Sequence, residues 1–98
     1  EPRVPFGELI ENGFLQPGTT LYFGEKSDVA AQVMADGSLV LDGMRGSIHQ
    51  LGRKIKTGPV NGWTAWYYFD EVKGKRYPID RLRQKIRIYL SEKGDLES

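Results

Sequence analysis

The sequence contains no cysteine at all. That excludes a disulfide scaffold, a thiolate nucleophile and any cysteine-based metal site, and it fits a reducing, cytosolic setting. Histidine occurs once, at His49. With this one histidine neither a two-histidine metal site nor a Ser-His-Asp triad is expected within the chain. GxGxxG, P-loop and HExxH signatures are missing as well. No apolar run approaches the roughly 18 residues of a membrane helix, and no secretory apolar region opens the chain. The lone carboxylate pairs have no distinguishing spacing, and Asp36 and Asp42 flank a hairpin, where turn chemistry explains them. A catalytic role for this chain alone has no support in its residues. It begins at Glu1 rather than Met, and so reads as an excised fragment of a longer protein that would carry any catalysis.

What is present is the composition of one small globular domain. The 98 residues are 39% hydrophobic and 28% charged, too short for a second core and too apolar for a disordered chain. The formal net charge of +1 hides an asymmetry. Residues 1–52 hold three basic side chains (Arg3, Lys26, Arg45) against seven acidic ones, a net −4. Residues 53–98 hold eleven against six, and between Arg53 and Arg87 the balance is ten to three, a net +7. Such polarity fits an anionic partner on one face, or simply a solvated basic surface.

Turn residues divide the first half. Pro5 suits the first turn of a short helix with Phe6, Leu9 and Ile10 on one face, and Gly13 sits where a left-handed cap belongs. Pro17-Gly18 reads as a turn. Strands are expected at 19–23, 29–34 and 38–41, the last two joined by the hairpin signal Asp36-Gly37.

In the second half Gly46 precedes Ser47-Ile48-His49-Gln50, which matches a capping box. Ile48, Leu51 and Ile55 form the buried stripe of the helix that follows. Its last turns carry Arg53, Lys54 and Lys56, with Gly58 closing it and Pro59 preventing continuation. Residues 61–69, rich in aromatics, are expected as one strand, turned back by Lys73-Gly74 toward Arg76-Tyr77. A final helix is expected over 79–90, capped by Gly94. Ile79, Leu82, Ile86, Tyr89 and Leu90 share its core-facing sector, Arg83 and Arg87 flank one side, and Arg81 and Lys85 flank the other. Ile88 falls on the far face. The expected fold is α+β: a small, mostly antiparallel sheet packed by about three helices.

Three features could converge on an anion. The start of the Ser47 helix offers free N–H groups and the positive end of a dipole, although Ser47 can equally be only the cap of its own helix. Trp63 and Trp66 are either core side chains or a platform on which unpaired bases stack. If residues 61–69 are extended, Trp63, Ala65, Tyr67 and Phe69 share one face and Thr64, Trp66 and Tyr68 the other. The third feature is the basic cluster of Arg53, Lys54 and Lys56, the Lys73, Lys75 and Arg76 hairpin, and the arginine-rich last helix. Contacts of that kind position phosphates rather than read sequence.

The phrases Val4-Pro5-Phe6-Gly7, Leu15-Gln16-Pro17-Gly18-Thr19, Ala35-Asp36-Gly37-Ser38-Leu39, Gly46-Ser47-Ile48-His49 and Asn61-Gly62-Trp63-Thr64-Ala65-Trp66 occur in that order. Together they resemble the C-terminal domain of the cell-cycle-regulated DNA adenine methyltransferases of alphaproteobacteria, the CcrM type. That module is called the restriction-enzyme-adenine-methylase-associated (RAMA) domain, and the resemblance spans about residues 4–87. It implies that residues 1–98 are a single non-catalytic, DNA-binding domain. The parent would use S-adenosylmethionine to methylate adenine N6 in GANTC sites, with its catalytic domain and cofactor pocket upstream; this fragment would hold no cofactor and no metal. It further implies DNA as partner, a homodimeric parent, no membrane, and a bacterial cytoplasmic location at the nucleoid. By motif match Ser47, Asn61 and Trp63 would lie at the DNA, with Arg83 a fourth; the aromatic and charge readings add Trp66, Arg53, Lys54 and Lys56. Val60 departs from the family pattern, where some members carry cysteine. Extruding an adenine for methylation demands contacts that hold the opened strands. The alternative reading is a protein-interaction or modified-DNA reader module, since related domains occur outside methyltransferases.

Overall fold

A computed structural model describes residues 3–97. Its elements run α1 (Gly7–Glu11), β1 (Thr20–Phe23), β2 (Ala30–Val33), β3 (Leu39–Leu41), β4 (Met44–Gly46), α2 (Ile48–Lys56), α3 (Gly62–Ala65), β5 (Trp66–Asp70), β6 (Lys75–Pro78) and α4 (Asp80–Glu97). The strands form one antiparallel sheet in the order β4-β3-β2-β1-β5-β6. The architecture is α+β, as expected, with four helices instead of three.

Alternation along the strands sets the two faces of this sheet. Leu21, Ala31, Val33, Leu39, Trp66 and Tyr68 all point to one side and are buried. Leu9 of α1, Ile48 and Leu51 of α2, Trp63 of α3 and Leu82 and Ile86 of α4 join them in a single core cluster, with Ile79 just before α4. The helices therefore cover one face. Among the described residues no helix packs on the opposite face, and Gln32 and Phe69 are exposed there.

Local signals explain most of the turns. Gly13 and Gly18 take the positive φ their positions required, and Asp36 accepts from the Ser38 backbone and hydroxyl in the β2–β3 turn. Those Ser38 hydrogen bonds, the hydroxyl first, hold the Asp36 carboxyl below its ordinary range. Strand β4 was not expected, yet Asp42 (φ 49°) and Gly43 (φ 78°) join it to β3 with Leu41 opposite Met44. An Asp-Gly pair with both residues left-handed is the hairpin turn whose twist suits antiparallel strands.

Four expectations are corrected. Thr57, at φ 56°, is the left-handed residue ending α2, and its N–H donates to the Arg53 carbonyl, so the helix closes before Gly58. Residues 61–69 are not one strand: Asn61 caps the short helix α3 and only Trp66–Asp70 is extended. Gly94 does not end the last helix, which runs to Glu97 because one glycine costs only about 1 kcal/mol in a helix interior. Tyr89, expected in the core-facing sector, is instead exposed at the rim, where its ring meets Phe14 edge to face at 5.9 Å. Ile88 is exposed, and nothing in the structure explains it.

The β5–β6 hairpin is tied to α4 by Arg81. Its guanidinium donates to Asp70 (2.9 Å) and the Tyr68 hydroxyl (2.8 Å) and lies over the Tyr77 ring. The Lys73 backbone N–H, then Arg81, hold the Asp70 carboxyl below its ordinary range, whereas burial pushes Tyr68 up. A carboxyl with a lowered folded-state pKa adds stability above its unfolded value of about 3.9, and that stability is lost as pH falls through the folded value. Melting temperature should therefore drop below about pH 4, with a shallower drop in Asp70→Asn, whose side chain does not titrate. An identical acid limb in both proteins would remove Asp70 from the linkage.

Candidate nucleic-acid interface

The tandem phrases identified in the sequence build the contact between α2, α3 and β5. Ser47 Oγ accepts from the Gln50 N–H, and Gln50 Oε1 accepts from the Ser47 N–H, completing the capping box. Gly46 leaves room for this, since a Cβ there would stand 3.1 Å from Gln50 Oε1. His49 Nδ1 accepts from the Gly62 N–H at 3.0 Å, and Asn61 Oδ1 accepts from the Trp63 N–H as the cap of α3. Trp66 Nε1 donates to the Ile48 carbonyl at 2.8 Å. Each conspicuous side chain of the two phrases thus has a structural partner.

Gly62 is the closest point of this junction. A Cβ on it would come within 2.7–2.9 Å of Ile48 Cγ1, Cβ and the backbone carbonyl carbon. Replacing a helical glycine by alanine ordinarily gains about 1 kcal/mol of helix propensity. At Gly62 the sign should reverse: overpacking against backbone costs about 1–3 kcal/mol, read as a lower denaturant midpoint. A neutral or stabilising Gly62→Ala would mean that α2 and α3 are not in this contact.

Of the expected site residues, Ser47, Trp63 and Arg83 come together. With Arg3, Pro5, Phe6 and His49 they line an open cleft of about 540 Å³ at the start of α2. Trp63 is only 7% exposed. Phe6 packs on it at 6.0 Å, and the Arg83 guanidinium covers its ring at 4.6 Å while pairing with Asp80. Trp63 therefore presents little free ring surface to a base. Trp66 presents none: it is fully buried against Phe23 in the core. The short helix α3 produces this outcome, because it turns Trp63 into the core that Trp66 enters from β5.

Asn61 lies apart from that cleft, exposed beside Lys56, Thr64 and Tyr67 around a second depression of about 570 Å³. Arg53 and Lys54 line a third, of about 390 Å³, with Gln50 and with Arg45 from β4. Sequence reasoning missed Arg45 because it sits in the acidic half. Recognising Asp42-Gly43 as a hairpin would have placed its strand beside the basic helix. It also missed Arg3, Pro5 and Phe6 as walls of the first cleft.

Six of the ten cations in the basic stretch fall into two kinds. Arg76 donates to the carbonyls of Gly24, Glu25 and Ser27, Arg81 binds Asp70, and Arg83 pairs with Asp80, so these three hold the fold. Arg53, Lys54 and Lys56 are exposed on α2 and form no ion pair with a described carboxylate. They crowd the last turn, where they also complement the negative end of the helix dipole.

Among the described residues no cluster of three or more His, Asp or Glu side chains could hold a metal ion, and no helix is long and apolar enough to cross a membrane. The arrangement contains a basic helix edge, two structural tryptophans and a cleft at a helix start. Residues 1–92 match the family described as Restriction Enzyme Adenine Methylase Associated, RAMA, and the chain belongs to that family of adenine-methylase-associated domains.

Proposed function

We propose that this domain is the non-catalytic DNA-binding part of a site-specific adenine methyltransferase of the cell-cycle-regulated type. The observation that carries the reading is the exposed triad Arg53, Lys54 and Lys56 on α2, with Arg45 alongside and no described carboxylate paired to the triad. The ends of such a triad lie about 4.5 Å apart along the helix axis, and their long side chains splay outward from there, so they can reach neighbouring phosphates of one strand. The cleft at Ser47, His49 and Arg83 would take further backbone contacts, with the Arg83–Trp63 pair supporting its wall. Asn61 would reach DNA only from the side of Lys56. Catalysis, the S-adenosylmethionine pocket and GANTC recognition would belong to the parent enzyme, acting as a homodimer in the bacterial cytoplasm.

Contacts of this kind carry little sequence information. A fluorescence titration should therefore find the same affinity for a short duplex whether its adenine is unmodified or N6-methylated. A strong preference for the methylated duplex would establish a modified-DNA reader instead. Failure to bind either at low salt would favour a protein-interaction module.

A further inference from the structure

The face of the sheet turned away from the helices carries chemistry that the helix side does not use. Strand register places Tyr22 beside Tyr67 and Phe69 beside Arg76 on that face, with Arg45 at its far edge. Phe69 is 51% exposed. The Arg76 guanidinium crosses to lie 3.6 Å from the Tyr22 ring centre, which occupies Tyr22 and leaves Tyr67 and Phe69 as the free aromatic positions. These two stand two residues apart on one strand, about 6.8 Å. The outward strand positions include two arginines and no carboxylate. Tyr67 also lines the depression that leads to Lys56 and Asn61, so this face is continuous with the basic end of α2.

We infer that the open sheet face binds an unpaired nucleic-acid strand, with bases stacked on Phe69 and Tyr67 and phosphates drawn by Lys56. This rests on the nucleic-acid reading above but assigns a second surface with a different ligand, single-stranded rather than duplex. The physical case is the combination of exposed rings with outward strand positions whose only charged side chains are arginines, although Arg45 at the far edge pairs with Asp36 of the β2–β3 turn. Every base has a π-face to stack, whereas a peptide partner would find no carboxylate on the strands around Phe69 and Tyr67 to pair with its own cations. Phe69 contributes little to the core, so its truncation leaves the fold intact.

The test titrates the 98-residue chain with fluorescein-labelled oligothymidine and, separately, with a labelled short duplex. Phe69→Ala and Phe69→Leu should each weaken oligothymidine binding about tenfold, because both remove the ring. Phe69→Trp should retain it, and all three should bind the duplex as the native chain does. Unchanged oligothymidine binding in Phe69→Ala overturns the inference and leaves duplex binding standing, as does a native chain that binds duplex but no single strand. Binding of neither overturns both readings. Self-association in sedimentation that depends on Phe69 would assign the face to a second copy and also overturn it.

Discussion

Trp66→Ala should remove a large share of the stability of the folded state. Trp66 is the largest of the fully buried side chains, and it joins three elements at once. Its ring meets Phe23 of β1 at 5.1 Å, its Nε1 donates to the Ile48 carbonyl at the start of α2, and its own strand pairs with β1 and β6. Truncating a buried Trp costs about 3–5 kcal/mol. Small domains have only about 5–15 kcal/mol in total. Trp66→Phe separates the two contributions, because it keeps most of the apolar surface and removes the donor. It should cost about 1–3 kcal/mol, the penalty for leaving the buried partner unsatisfied, in addition to a small cavity term. Denaturant unfolding followed by circular dichroism reads both. A shift below about 1 kcal/mol for Trp66→Ala would mean that the ring is not in the core.

The largest effect on binding is expected from α2. Arg53→Gln, Lys54→Gln and Lys56→Gln in one chain remove three exposed charges while keeping a polar, unbranched side chain and similar helix propensity. Each phosphate contact contributes about 0.9 to the slope of log affinity against log salt. Loss of three contacts should reduce that slope by about 2.7 and weaken duplex binding at 0.1 M salt by about two orders of magnitude. Stability should fall by only about 1–2 kcal/mol, since these cations sit in the last turn and interact favourably with the helix dipole. A melting transition still well above the assay temperature would show that the binding loss is not unfolding. The same substitutions at Arg76 or Arg81 would confuse the two effects, because those guanidinium groups tie loops and strands together.

These contrasts show which parts of the molecule were legible in the sequence. The Ser47–Gln50 capping box, the Asp36-Gly37 turn and the Leu82–Ile86 stripe depend on residues close in sequence, and each appears where local chemistry placed it. The aromatic segment 61–69 did not, because its β-propensity concealed a four-residue helix begun by the Asn61 cap. That helix forms only with Gly62 packed on Ile48 and bonded to His49, a partner thirteen residues earlier. Both tryptophans are consequently structural, and the choice between core and platform could not be made without the tertiary contact. Strand β4 has three residues, two of them exposed, so it lacks the alternation by which a half-buried strand is recognised. The basic face was visible as a charge count. Which cations are free and which hold loops in place emerged only from the geometry of Arg76, Arg81 and Arg83.

The same division applies to the candidate site. Ser47, Trp63 and Arg83 do share one cleft, while Asn61 with Lys56, and Arg53 with Lys54, border two others. Structural roles and DNA contacts can coincide in a cap such as Ser47, since its hydroxyl satisfies only one of the four free N–H groups of a helix start. For this reason truncations at Asn61 or Trp63 report on folding and binding together. Surface charge gives the cleaner readout.

The most direct measurement is the salt dependence of duplex binding by the native chain and by the triple glutamine variant of α2, side by side. DNA binding through this helix edge predicts a steep linear fall of log affinity with log salt for the native chain and a slope smaller by about 2.7 for the variant. Equal slopes would contradict the assignment of Arg53, Lys54 and Lys56, and no duplex binding at low salt would contradict the DNA-binding function itself.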